Sequence, residues 1–227
     1  MPRVCVFDVN ETLLDLGALD ASFTRVFGDA SARQAWFQQV LQSALVATVT
    51  DAYADFSAIG RAALTMTAER RGVTLAAHDN QEIIDGMRHL PPHPDVKEGL
   101  ERLRDAGLRV AALTNSPPQV AEAQLTNAGL RDFFEQALSV DAVRRLKPVP
   151  EPYRMAAERL GVPIGQIRLV AAHAWDVAGA LRTGCAAAFV ARAGQVLDPL
   201  APRPDVVGPD LRMVAAAILE RERASGQ

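Results

Sequence analysis

Four short apolar runs, with helix-length amphipathic stretches between them, constrain this chain more than any other feature. They are Val4-Cys-Val-Phe-Asp8, Arg109-Val-Ala-Ala-Leu-Thr114, Ile167-Arg-Leu-Val-Ala171 and Ala186-Ala-Ala-Phe-Val190. A continuous apolar run of this length suits a strand buried on both faces of a parallel sheet, not one that alternates between core and water. Between the runs lie residues at helical spacing, and each such stretch stops at a glycine. Val96 to Ala106 precedes Gly107, Gln119 to Ala128 precedes Gly129, Glu151 to Leu160 precedes Gly161, and Trp175 to Thr183 precedes Gly184. A glycine just past a periodic stretch is a helix stop signal. Strands alternating with helices predict an α/β fold: an open parallel sheet with helices on both faces.

One region breaks the alternation. From about Leu16 to Met87 the pattern is helical and holds no buried-strand run, with Ala32 to Val46 and Tyr53 to Arg70 the clearest helices. Pro91-Pro92-His93-Pro94 then punctuates the return to alternation. The predicted organisation is a Rossmann-like core of residues 1–14 and 90–227, with a helical cap of residues 15–89 inserted into it. A chain of 227 residues is long enough for a core with a smaller appended domain. Aromatics make up only 5% of it, so the helices are expected to pack largely through small side chains. The polar end, Glu220 to Gln227, is expected to fray.

Charge and cysteine content narrow the function classes. The net charge is -3 and no Lys/Arg stripe exists, which gives nucleic acid no electrostatic footing. No segment approaches about 18 uninterrupted apolar residues, so no membrane span is expected. Cys5 and Cys185 stand in apolar contexts and read as buried free thiols. With no signal-peptide pattern at the N-terminus, a cytoplasmic location is the expectation.

In open parallel sheets, ligands bind beyond the carboxyl ends of the strands. The residues following each run are therefore the candidate site. Asp8-Val-Asn-Glu-Thr12 follows the first and Thr114-Asn-Ser116 the second. Arg144-Arg-Leu-Lys147-Pro148 precedes the helix at Glu151, and Ala172-His-Ala-Trp-Asp176 follows the third run. A carboxylate, a hydroxyl with an amide, a lysine and a further acid converge on one rim. That set can hold an anion, attack it and stabilise developing charge.

These four stretches, in this order and spacing, resemble the four motifs of the haloacid dehalogenase superfamily across nearly the whole chain. The resemblance implies roles position by position. Asp8 matches the nucleophile and Thr12 the threonine that orients it. Thr114 matches the second-motif Ser/Thr, with Asn115 beside it. Lys147 matches the lysine that keeps the nucleophile ionised, and Asp176 the motif-four acid.

Within the superfamily the choice lies between carbon–halogen and phosphate-ester cleavage. Phosphatases carry a second Asp two residues after the nucleophile, which protonates the leaving alkoxide. Here that position is Asn10, and an amide has no proton to give near neutral pH. A halide leaves without one. The motif-four stretch offers only His173 and Asp176, a thin oxygen set for Mg2+, and its Trp175-Asp176 pair is similar to that of the metal-independent dehalogenases. Lys147-Pro148 followed by Tyr153, and Trp36-Phe37 and Tyr53-Ala-Asp-Phe56 in the cap, are similar to the dehalogenase pattern too. Phe56 falls where an aromatic lines the halide pocket. The resemblance to type II (L-2-)haloacid dehalogenases implies a small-molecule 2-haloacid substrate, an aspartyl-ester intermediate, no cofactor and, as in many relatives, a homodimer.

The departures fall around the halide. The cap arginine of the well-known members is Phe37 here, their tyrosine is Asn10, and their motif-four Ser and Asn are Ala171 and His173. Arg33, Gln38 and Gln39 are candidate replacements for the missing cation. His173 is a candidate donor to the halide or activator of the hydrolytic water, and Asn10, Asn115 and Tyr153 are candidate substrate contacts. Plainer roles compete: Thr114 and Asn115 as turn formers, Asp176 as the N-cap of a helix from Val177, and Phe37 and Phe56 as cap core. Two other functions stay open, a Mg2+-dependent phosphatase of a small phosphate ester and a non-catalytic binding protein.

Overall fold

In the computed structural model, which describes residues 4–224, six parallel strands form one sheet. They are β1 (Val4–Phe7), β2 (Val110–Thr114), β3 (Ala137–Ser139), β4 (Ile167–Ala171), β5 (Ala186–Val190) and β6 (Val206–Gly208). The order across the sheet is β3-β2-β1-β4-β5-β6. Every residue of β1, β2 and β4 is buried, as continuous apolar runs require. A fully buried Val, Leu or Phe contributes about 1.5–3 kcal/mol over leaving it in water. These three strands therefore carry much of the core.

Five helices accompany the strands: α5 (Val96–Asp105), α6 (Pro118–Asn127), α7 (Pro150–Leu160), α8 (Ala174–Thr183) and α9 (Leu211–Ala224). Gly161 and Gly184 end α7 and α8 with φ of 67° and 100°, a region costly for a side chain bearing a Cβ. Four more lie between β1 and α5: α1 (Asp20–Phe27), α2 (Ala32–Val49), α3 (Phe56–Arg71) and α4 (Ala77–Gly86). The Asp55 carboxylate caps α3 by accepting from the Ala58 amide, which sets its start three residues later than the apolar spacing at Tyr53 suggests. Within this insertion Phe23 packs 5.3 Å from the Trp36 ring, and the Trp36 indole donates to the Gly60 carbonyl at 2.9 Å.

Two expectations need correction. Residues 220–224 are not frayed: they complete α9, whose Leu211, Val214, Ala215 and Ile218 are buried and anchor it. Residues 225–227 lie outside the described residues. Asp176 is not an N-cap either. α8 begins at Ala174 with His173 in the cap position, so Asp176 sits in the first turn and its carboxylate is used elsewhere.

The successive crossovers run one way from β1 to β3 and the other way from β4 to β6. Their direction reverses between β1 and β4, and at such a reversal the loops part and leave a crevice. β1 and β4 pair from Val4↔Ile167 to Phe7↔Val170, and the Asp8 amide extends the ladder to the Val170 carbonyl at 3.1 Å. Asp8 is thus delivered to the floor of that crevice by the strand itself.

Candidate active site

Asp8 is 5% exposed, and both of its carboxylate oxygens are engaged. Lys147 Nζ donates to Oδ1 at 2.8 Å. Thr12 Oγ1 donates to Oδ2 at 2.6 Å, and His173 Nδ1 lies 3.2 Å from the same oxygen. Burial alone would raise this carboxyl's pKa. The Lys147 ammonium and the contact with His173 outweigh burial and hold it well below the usual carboxylate range. The group is therefore an anion presented from a dry site, the state a nucleophile needs.

Lys147 is itself 2% exposed and lies between two acids. Its ammonium reaches Asp176 Oδ2 at 2.5 Å and the Leu113 carbonyl at 3.1 Å, in addition to Asp8. Burial pulls its pKa down, and Asp176 and Asp8 more than restore it, so it stays charged. Asp176 is fully buried, and Tyr153 donates to its second oxygen at 2.6 Å. Gly179, one turn further along α8, makes room for this arrangement. A Cβ there would lie 2.5 Å from the Pro148 carbonyl oxygen and 2.8 Å from the Tyr153 hydroxyl.

The remaining expected residues divide by what they touch. Thr12 links motifs, accepting from the Ala172 amide at 2.9 Å while it donates to Asp8. Thr114 and Asn115 are buried but shape the loops. Thr114 Oγ1 accepts from the Ser116 amide at 3.1 Å, and Asn115 Oδ1 accepts from the Lys147 amide at 3.0 Å. Asn10 is held by Gln124, which donates to its carbonyl at 2.9 Å and to the Met87 carbonyl at 2.8 Å, so that the Asn10 amide group faces Ser116 Oγ at 3.3 Å.

Phe37 and Phe56 are both buried, and both line a cavity of about 100 Å3 together with Met87, Ser116 and Val120. Phe37 also borders a broader cleft of about 860 Å3 on its other side, with Glu11, Gln38, His173, Trp175 and Arg192. Its ring lies 6.2 Å from His173, which in turn stacks on Trp175 at 5.2 Å. Asp8 lines neither space directly; His173, in contact with it, lines the cleft.

Of the proposed substitutes for a cap cation, Arg33 is paired with Asp20 at 2.5 Å and Gln39 accepts from Arg70 at 2.5 Å. Gln38 faces the cleft but is neutral. The cation nearest the nucleophile on the cleft side is His173. Its pKa is pushed up to about 9: burial works against the charge, and the Asp8 and Glu11 carboxylates outweigh it. Four further residues complete the site. Glu11 Oε2 meets His173 Nε2 at 2.8 Å, Gln124 fixes Asn10, and Arg192 donates twice to the Thr12 carbonyl while gripping Asp95. The fourth, Trp175, has an indole N–H that is buried without an acceptor. Glu11 stands one residue before the end of the first motif stretch, but its contact with His173 depends on the left-handed backbone it adopts.

Mg2+ does not fit this donor set. The Lys147 ammonium already stands between Asp8 and Asp176, and each of the four carboxylate oxygens has a donor or ring nitrogen on it. Among the described residues no group of three or more His, Cys, Asp or Glu side chains is placed to share a metal ion.

The family model for haloacid dehalogenase-like hydrolases matches residues 2–184. The chain belongs to that family. The (S)-2-haloacid dehalogenase of Pseudomonas sp. (strain YL) is 32% identical over 212 residues, covering 92% of this chain and 90% of that protein. The (S)-2-haloacid dehalogenase of Xanthobacter autotrophicus is 32% identical over 197 residues, covering 86% and 77%. A solved structure of the L-2-haloacid dehalogenase from Xanthobacter autotrophicus, with chloropropionic acid covalently bound, superposes with a TM-score of 0.90 at 28% identity, covering 96% of this chain and 99% of that one. The chain is thus a haloacid dehalogenase-like hydrolase with an α/β sheet like that of the L-2-haloacid dehalogenases, and no helix among the described residues is long and apolar enough to cross a membrane.

Proposed function

We propose that this protein hydrolyses the carbon–halogen bond of short 2-haloacids, with Asp8 as the nucleophile. Asp8 attacks the halogen-bearing carbon from the side opposite the halogen, forming an ester and releasing halide. Water then attacks the ester carbonyl and returns the carboxylate. The single displacement at carbon inverts its configuration. Thr12 and Lys147 hold Asp8 in line and ionised, Asp176 holds Lys147 and is itself held by Tyr153, and Asn10, Asn115, His173, Phe37 and Phe56 surround the substrate. Residues 15–89 serve as the cap that closes over the core of residues 1–14 and 90–227.

The observation that carries the choice of leaving group is Asn10. Gln124 donates into its carbonyl, so the position offers an amide N–H and no titratable proton. A phosphate ester needs such a proton for its alkoxide; a halide does not. The chemistry calls for no cofactor. Buried free thiols at Cys5 and Cys185, each pushed up to about 12 by burial, support a reducing cytoplasm as the location. Exposed Leu45, Val46 and Val49 on α2 and Met66 on α3 support a homodimer, which light scattering on the purified protein would check.

The activity test follows halide and phosphate release from L-2-chloropropionate, haloacetates and p-nitrophenyl phosphate, with and without EDTA. Halide release that persists in EDTA and disappears in Asp8→Asn is expected. Mg2+-dependent phosphate release without halide would replace this reading with a phosphatase, and silence toward all substrates with a binding protein.

A further inference from the structure

Between Asp8 and the solvent cleft runs an unbroken chain of three titratable groups. Asp8 Oδ2 lies 3.2 Å from His173 Nδ1, and His173 Nε2 lies 2.8 Å from Glu11 Oε2. Glu11 takes up this position at a cost, since its backbone has a φ of 60°, left-handed space that side chains with a Cβ occupy reluctantly. Its carbonyl is fixed there by His93 Nε2 at 3.1 Å. The His173 ring has no freedom to turn away, being stacked on Trp175 and bordered by Phe37.

We propose that His173, oriented by Glu11, is the base that activates water against the Asp8 ester, and that it becomes a base only once Asp8 has been alkylated. The inference rests on the dehalogenase reading and deepens it. Asp176 is fully buried, with Lys147 and Tyr153 on its two oxygens, and does not line the cleft from which water comes. Lys147 is an ammonium with no free lone pair. Among the described residues hydrogen-bonded to the Asp8 carboxylate, His173 alone combines a basic nitrogen at Asp8 with an edge on the cleft that admits water.

The timing follows from charge. In the free enzyme the imidazole lies between two carboxylates and is an imidazolium, which helps to keep Asp8 ionised. Ester formation removes the Asp8 charge and with it one of the two groups that hold the proton. Glu11 keeps the proton on Nε2, so the one on Nδ1 is lost to the cleft as halide departs. Neutral Nδ1 then accepts a proton from water as the water oxygen bonds to Asp8 Cγ. The tetrahedral intermediate breaks its Cγ–O bond to the substrate oxygen. The proton left on the intermediate's hydroxyl passes to the departing alkoxide, and the 2-hydroxyacid, the Asp8 carboxylate and the imidazolium are restored. Summed over both steps, haloacid and water give hydroxyacid, halide and one proton.

The groups that set the pH response of His173 are Asp8 and Glu11 in contact with it, Lys147 beyond Trp175, and His93 at the Glu11 carbonyl. Arg192 and Arg33 line the same cleft but are paired with Asp95 and Asp20. Loss of the Glu11 charge lowers the imidazole's basicity, so it moves the acidic limb of ester hydrolysis to lower pH.

The experiment is rapid-quench halide release from L-2-chloropropionate, with intact-mass detection of the alkylated enzyme, on wild type, His173→Gln and Glu11→Gln. His173→Gln is expected to release about one halide per site in a burst, then to turn over about 10²- to 10⁴-fold more slowly, the range for a lost general base, with alkylated enzyme accumulating. Glu11→Gln is expected to keep the burst, slow the second phase and shift its acidic limb downward. A His173→Gln protein whose burst falls in parallel with turnover, or a Glu11→Gln protein whose limb stays in place, would overturn the proposal. If His173→Gln does not fold, the Glu11→Gln limb decides. A wild type that releases no halide at all would instead remove the dehalogenase reading, and this inference with it.

Discussion

Lys147 shows most directly that residues in this site depend on one another. Its buried ammonium is shared between Asp8 and Asp176, and removing one partner of such a buried pair typically costs about 3–5 kcal/mol. Lys147→Met should therefore lower unfolding stability by about that amount in urea titrations and abolish halide release. A variant that keeps wild-type stability would show that the three groups are not the coupled unit drawn here. His173 makes a prediction of opposite pH sense to a carboxylate's. Its folded pKa is about 9 against an ordinary 6.5, so the stability it contributes is full below 6.5 and is lost as pH rises through about 9. The stability gap between wild type and His173→Gln should shrink over that interval, by on the order of 3 kcal/mol. A gap independent of pH would mean that the ring is neutral in the folded protein. Most of these residues were legible in the sequence, because Asp8, Thr12, Lys147, His173 and Asp176 each stand just past a strand run or just before a helix. Glu11 was not, since its role depends on a left-handed backbone angle. Gln124 was not, since it reaches the site from the middle of a distant helix. The pairing of Arg33, a candidate replacement for the cap cation, was not legible because its partner Asp20 belongs to another helix of the insertion.

At the scale of elements, the packing of α8 against the Lys147–Pro148 turn makes a helix glycine part of the site. A methyl group at Gly179 would meet the Pro148 backbone at 2.5 Å, and at Gly99 in α5 it would meet Leu211 Cγ at 2.6 Å. Both Gly179→Ala and Gly99→Ala overpack the core and should cost about 1–3 kcal/mol. Only Gly179→Ala should also reduce turnover, because the displaced atoms position Lys147 and Tyr153. Equal turnover in the two variants would separate α8 from the chemistry. The four long strand runs and the glycine stops were readable because burial on both faces leaves an unmixed apolar signature. β3 and β6 were not, since three residues are too few to show a period. α9 was half concealed, because its buried stripe is continued by the polar turn that looked like a frayed end.

At the scale of the molecule, polar ties join the inserted helices to the core beside the apolar contact that buried Phe37 makes with His173. The Tyr53 hydroxyl donates to the Asp141 carboxylate, and Arg145 meets Asp51. Gln124 bonds at once to Asn10 beside the nucleophile and to Met87 where the insertion ends. Gln124→Leu should therefore raise KM for a 2-haloacid more than it lowers the rate of alkylation, since it loosens Asn10 and the insertion while leaving Asp8 and its partners intact. An unchanged KM would remove Gln124 from the account. That an insertion lies between the first two strands was readable from the missing alternation. Of what lines the space beneath it, Phe37 and Phe56 were named from the sequence, while Met87 and Val120 were not, because they meet them only in three dimensions.

In the proposed reaction the Asp8 carboxylate bonds to substrate carbon, and one turnover in isotopically labelled water tests this. With enzyme in excess over L-2-chloropropionate in 18O water, the first lactate formed should carry unlabelled oxygen taken from Asp8, and the label should appear in the Asp8 peptide. Lactate labelled in that first turnover, with Asp8 left unlabelled, would mean that water attacks the substrate directly and that Asp8 is not a nucleophile.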